Sequence, residues 1–141
     1  MERGRFAEIE HTADLGLELE GSSPAAVLEA ALRGLVRVLF GEDPDVEPRE
    51  ERSVELREEG YPELLKAWCE SIYRLLEEDG FVAVEADVEA SGPGTLRAVV
   101  RGARPPRARV ARASELKAVT WHQLRFAEAD GEWRARVIFD V

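Results

Sequence analysis

Hydrophobic and polar positions alternate along most of this chain, and the alternation is interrupted by two helical stretches. Arg5–His11 and Leu15–Glu20 are predicted as short strands. In the second, Leu15, Leu17 and Leu19 share one face and Glu18 and Glu20 the other. The polar stretch His11-Thr12-Ala13-Asp14 between them predicts a loop. A helix follows. Ser23 is a good N-cap and Pro24 suits the first turn. Val27, Leu28, Ala31, Leu32, Leu35, Val38 and Leu39 recur at helical spacing, Glu29, Arg33 and Arg37 form a charged face, and Gly41 ends the helix. Pro44 and Pro48 place Glu42–Glu51 in a loop, and Arg52–Arg57 alternates as a strand.

The second helix begins at Pro62. Its apolar stripe is Leu64, Leu65, Trp68, Ile72, Leu75 and Leu76, and Gly80 closes it. Four strands then complete the pattern: Val82–Glu89, Leu96–Arg101, a long one from Glu115 to Phe126, and Trp133–Val141. Asp130-Gly131 is a hairpin signal between the last two. Two helices among alternating strands predict a single α+β domain over residues 1–141. Both helices should lie on one face of a mainly antiparallel sheet, as a two-layer sandwich. Leu28, Leu32, Leu35, Leu65, Trp68, Ile72 and His122 are expected in the core.

Composition narrows the function classes. The 141 residues suffice for a core without disulfides. No apolar run approaches the roughly 20 residues of a membrane span, and Met1–Arg5 leads straight into strand-like sequence, which predicts no signal peptide. The lone Cys69 cannot pair internally and is expected as a small core hydrophobe. A cytoplasmic location is expected. The net charge of −10 is uneven: residues 1–90 carry 24 acidic and 9 basic side chains, residues 91–141 carry 5 and 10. The acidic total argues against general nucleic-acid binding, although Arg97–Arg112 could meet a phosphate or an acidic surface.

Candidate chemistry is sparse. The two histidines, His11 and His122, have no nucleophile context, and no phosphate loop or zinc spacing occurs. The even positions of the long strand, Leu116, Ala118, Thr120, His122, Leu124 and Phe126, predict a core-facing His122. Trp121, on the other face among charges, is either an interface anchor or covered by the loop around Pro105. Asp14, Asp140 and the α-carboxylate of Val141 would form a hard oxygen site for calcium, magnesium or manganese if the fold joined them.

Three motifs occur in order along nearly the whole chain. Glu10-His11-Thr12-Ala13-Asp14-Leu15-Gly16-Leu17 resembles the opening signature of the archease family. Glu115-Leu116-Lys117-Ala118-Val119-Thr120-Trp121-His122 resembles its second, and Trp133 through Asp140-Val141 its C-terminus. The helices after Gly21 and around Trp68 and Glu70 fall in matching order. The resemblance implies a two-layer α+β domain that activates the GTP-dependent RNA-splicing ligase of tRNA processing. Such a protein promotes the ligase's guanylylation and repeated turnover and is not itself an enzyme. It also implies a divalent metal, calcium foremost, held by Asp14, Asp140 and Val141, with His11, Glu115, Lys117 and Trp121 as partner-binding residues. Trp121 departs from the family's usual tyrosine, and Leu15 and Leu116 from common isoleucines. The loop Arg104–Ser114 lacks a histidine found in many members and is rich in arginine, so the role of Arg104–Arg112 stays open. Two rival readings are a small metal-dependent hydrolase using Asp14, His11 and Asp140, and a general chaperone-like interaction domain.

Overall fold

The computed structural model describes residues 3–11 and 14–141; of Glu10, His11 and Asp14 only the backbone is described. The elements are β1 (Arg5–His11), β2 (Asp14–Gly21), α1 (Pro24–Phe40), β3 (Glu50–Arg57), α2 (Tyr61–Asp79), β4 (Val82–Ala90), β5 (Thr95–Ala103), α3 (Arg107–Val110), β6 (Ala118–Val119), β7 (Arg125–Ala129) and β8 (Glu132–Asp140). The α+β class and the antiparallel pairing are as the pattern predicts. The strands, however, divide into two sheets. One runs β1-β2-β8-β6, with β7 also on β8; the other runs β3-β5-β4.

The predicted caps form. The Ser23 Oγ accepts from the Ala26 N–H at 3.1 Å. Gly41 adopts φ 77°, and its N–H donates to the Arg37 carbonyl at 2.8 Å. Asp130 and Gly131 take φ 54° and 80°, the geometry of the tight hairpin joining β7 to β8. Among the described residues no helix is long and apolar enough to cross a membrane.

Division into two sheets encloses α1. It packs against β1, β2 and β8 of one sheet and β4 of the other. Twelve of its residues, from Ala26 to Leu39, are buried. The helix therefore has no fully solvated face, and of the predicted charged face Glu29 is buried. The Glu29 side chain is only 7% exposed, paired with Arg33 Nε at 2.7 Å and with Arg3 at 3.5 Å. Helix α2 is buried along one stripe only, and Trp68 Nε1 donates to the Leu28 carbonyl at 2.7 Å, joining the two helices. Burial pushes the Cys69 thiol up to about 12, so it stays a protonated core hydrophobe.

Three further corrections concern strands. In β4 a bulge between Ala83 and Glu85 turns Ala83 inward beside Val82 and leaves Val84 half-buried, breaking the predicted alternation. Gly102 faces the bulge from β5, where a Cβ would collide with the Val82 carbonyl. The long strand Glu115–Phe126 does not form; it is split into β6 and β7 by a turn. His122 lies in that turn and is exposed, so its predicted core position is wrong. The other six predicted core residues, Leu28, Leu32, Leu35, Leu65, Trp68 and Ile72, are buried.

Candidate functional site at the end of the first sheet

Backbone register determines what meets at the end of the first sheet. His11 pairs with Asp14 across β1 and β2. Leu15 pairs with Phe139 across β2 and β8, so one step further the backbone of Asp14 lies beside that of Asp140. Asp140 in turn pairs with Ala118 of β6. Four strands thus deliver His11, Asp14, Asp140 and Ala118 to one row, with Val141 immediately beyond it.

The side chains of His11 and Asp14 lie outside the described residues. Asp140 is exposed, and among the described residues neither an ion pair nor a side-chain hydrogen bond engages its carboxylate. Its backbone carbonyl accepts from the Lys117 N–H at 2.8 Å, which brings Lys117 to the same row. Within the described residues no three His, Cys, Asp or Glu side chains cluster as a metal site; the predicted set includes Asp14, which is not among those side chains. The register is nonetheless compatible with a hard cation: it sets two aspartates on adjacent strands, and carboxylates are oxygen donors of the type calcium and magnesium take.

Beyond Val119 the chain leaves β8. The Thr120 N–H and hydroxyl both donate to the Ile138 carbonyl, at 2.9 and 3.1 Å. A turn closes when the Leu124 N–H donates to the Trp121 carbonyl at 3.2 Å, with Gln123 left-handed at φ 53°. Trp121, His122 and Gln123 all project into solvent. Trp121 is 64% exposed. The loop around Pro105 does not cover it; Lys66 of α2 does, on one face, with Nζ 4.8 Å from the ring centroid. Lys66 is itself held by Glu70 at 2.9 Å. Lys66 and Glu70 were not foreseen as site residues. Their only sequence signal is an i,i+4 charge pair on the polar side of α2.

The other expected partner residues separate. Lys117 is exposed next to the row, whereas Glu115 is exposed with no described contact to it. The basic stretch disperses as well. Arg97 pairs with Glu55, Arg101 with Glu85 and Asp87, and Arg104 with Glu50 and Asp79. Arg107 and Arg112 are exposed and Arg109 is half-buried, around α3.

An α+β domain of two antiparallel sheets about a buried helix, with acidic residues gathered at one sheet end, is the class this geometry defines. Residues 6–141 match the model of the Archease protein family (MTH1598/TM1083), and the chain belongs to that family. Similar curated proteins named Protein archease occur in Methanopyrus kandleri, 32% identical over 96% of this chain and 99% of that one. Another, from Thermococcus gammatolerans, is 33% identical over 97% and 99%. The solution structure of Methanobacterium thermoautotrophicum protein 1598 aligns over the whole of both chains with a TM-score of 0.74 and 27% identity. The crystal structure of a Thermotoga maritima archease, described as a possible chaperone, aligns over 94% of each chain with a TM-score of 0.61 and 25% identity.

Proposed function

We propose that this chain is a non-catalytic accessory protein of a GTP-dependent RNA-splicing ligase, acting in the cytoplasm in tRNA splicing and RNA repair. It promotes covalent attachment of GMP to the ligase and lets the enzyme turn over repeatedly. The observation that carries this reading is the row at the end of the first sheet. There the register sets Asp14 beside Asp140 with Lys117 alongside, in a chain of the archease family.

Asp14, Asp140 and the Val141 carboxylate would hold a divalent ion, calcium first, with magnesium or manganese as substitutes. The ion would offset the repulsion between carboxylates brought to the same site. His11, Glu115, Lys117 and Trp121 would face the ligase. Contact with RNA is indirect, or passes through the arginines between Arg97 and Arg112. An acidic chain with net charge −10 can approach a basic RNA-handling enzyme without competing for its RNA.

The test is ligation with the ligase limiting, with and without this protein, and with the divalent ion chelated. The expected result is that product passes one equivalent per ligase only when protein and ion are both present. Ligation that stays at one equivalent with the protein added rejects the reading. The chaperone-like alternative draws on the description given to the Thermotoga maritima relative. Suppression of aggregation across several unfolded, unrelated proteins would favour it.

A further inference from the structure

Most large apolar side chains of the described residues are buried or half-buried; Trp121 is 64% exposed and Val99 is 37% exposed. An indole left in water forgoes the burial of about 150–250 Å² that an aromatic side chain offers. Here the chain holds it out on purpose-built supports. The Thr120 N–H and hydroxyl fix the start of the turn to the Ile138 carbonyl, and the left-handed Gln123 closes it. Lys66, only 16% exposed, lies over one ring face and is held by Glu70. A cation over the ring restrains the indole before any partner arrives, which lowers the ordering cost of binding.

We propose that Trp121, positioned by Lys66 and Glu70, is the anchor by which this chain docks on the ligase, entering an apolar recess rimmed by basic groups. The proposal rests on the accessory role given above and specifies its contact. Tryptophan is the residue type most enriched at interface hot spots, where one buried anchor carries much of the affinity. Charge selects the class of partner. At the turn itself the charges are mixed, Glu70 and Asp140 against Lys66 and Lys117, but the whole chain carries −10, so a basic protein surface is attracted and a polyanion is repelled. The free ring face and edge are the part the partner would cover.

The experiment measures the affinity of the purified chain for its cognate ligase by calorimetric titration, which needs no tryptophan reporter, and follows the tryptophan emission of the Trp121-containing chains in parallel. Trp68 is buried and Trp133 half-buried, so Trp121 supplies the solvent-sensitive part of the signal. Wild-type emission is expected to shift to shorter wavelength on binding. Trp121→Ala is expected to weaken binding about 30-fold or more, with Tm and divalent-ion binding unchanged. Trp121→Tyr should retain most of the affinity. Lys66→Ala should weaken binding less than Trp121→Ala and increase the mobility of the free indole, read as lower emission anisotropy. Equal binding by wild type and Trp121→Ala overturns the anchor while leaving the accessory role standing. A wild type that does not bind the ligase overturns both. Two further outcomes overturn the assigned occupant: a Trp121 signal produced by RNA alone, or Trp121-dependent self-association of the free chain.

Discussion

Helix α1 and the segment Ser114–Leu124 are both rich in apolar residues, yet the fold treats them in opposite ways. Strands of both sheets pack on α1, so nearly every position from Ala26 to Leu39 is specified by packing. In the segment Leu116 and Val119 are buried in the core and Leu124 packs against it, and the backbone is held by bonds to Leu39, Asp140 and Ile138. Where packing comes from two sides, the side chains are committed to stability. Where the chain is pinned at intervals, the residues between the pins are left to solvent, as Lys117, Trp121 and His122 are.

The contrast should appear first in stability. Leu32→Ala or Leu35→Ala in α1 is expected to cost about 2–5 kcal/mol, and Trp68→Ala about 3–5 kcal/mol. Urea unfolding measures this. The second, smaller effect is at Glu29. Arg33→Ala leaves a largely buried carboxylate with Arg3 as its remaining described partner, and should cost about 1–3 kcal/mol. Arg33→Lys should recover only part of that loss, because a point charge cannot replace the donation to both Glu29 and the Gly4 carbonyl.

Acid sensitivity comes third. A hydrogen bond from Arg52 holds the Asp79 carboxyl below its ordinary range, and one from Arg101 does the same for Asp87. A depressed folded pKa contributes stability above the unfolded value of about 3.9, and the contribution is lost as pH falls through the folded value. Stability should therefore decline on acidification below about pH 4. Arg52→Gln and Arg101→Gln should flatten that decline, as read from denaturant midpoints across pH. The smallest effects belong to the segment. Trp121→Ala should change stability by less than about 0.5 kcal/mol, as expected of an exposed site. Gln123→Gly, which relieves the left-handed backbone, should move it by no more than about 1 kcal/mol in either direction.

The same contrast explains what could be read in advance. The helices, their caps at Ser23, Gly41 and Gly80, and the Asp130-Gly131 hairpin follow local rules that the fold does not override. The split of Glu115–Phe126 was hidden because its alternation suits a strand as well as two short strands and a turn. Only the tertiary bonds to Asp140 and Ile138 decide between them. The bulge at Val84 was hidden for a similar reason, since it answers to the paired strand β5 and not to neighbours in sequence. The burial of Glu29 depends on a second sheet that periodicity alone does not announce. At the candidate site, Asp14 and Asp140 were legible as residue types in a family motif. Their adjacency rests on a register set by β2 and β8, near opposite ends of the chain. Lys66 was not legible, because its partner Trp121 lies on a distant turn.

The proposed function requires that this chain work on a ligase and not on a substrate of its own. The most direct measurement is the single-turnover rate of GMP attachment to the cognate ligase. It should be taken with wild type, with Asp140→Asn, and with a chain extended by a few residues beyond Val141. Wild type should raise the rate, and the two variants should lose that gain together with divalent-ion binding while keeping the wild-type fold. An unchanged rate with wild type, under conditions where the ligase itself is active, would contradict the claim.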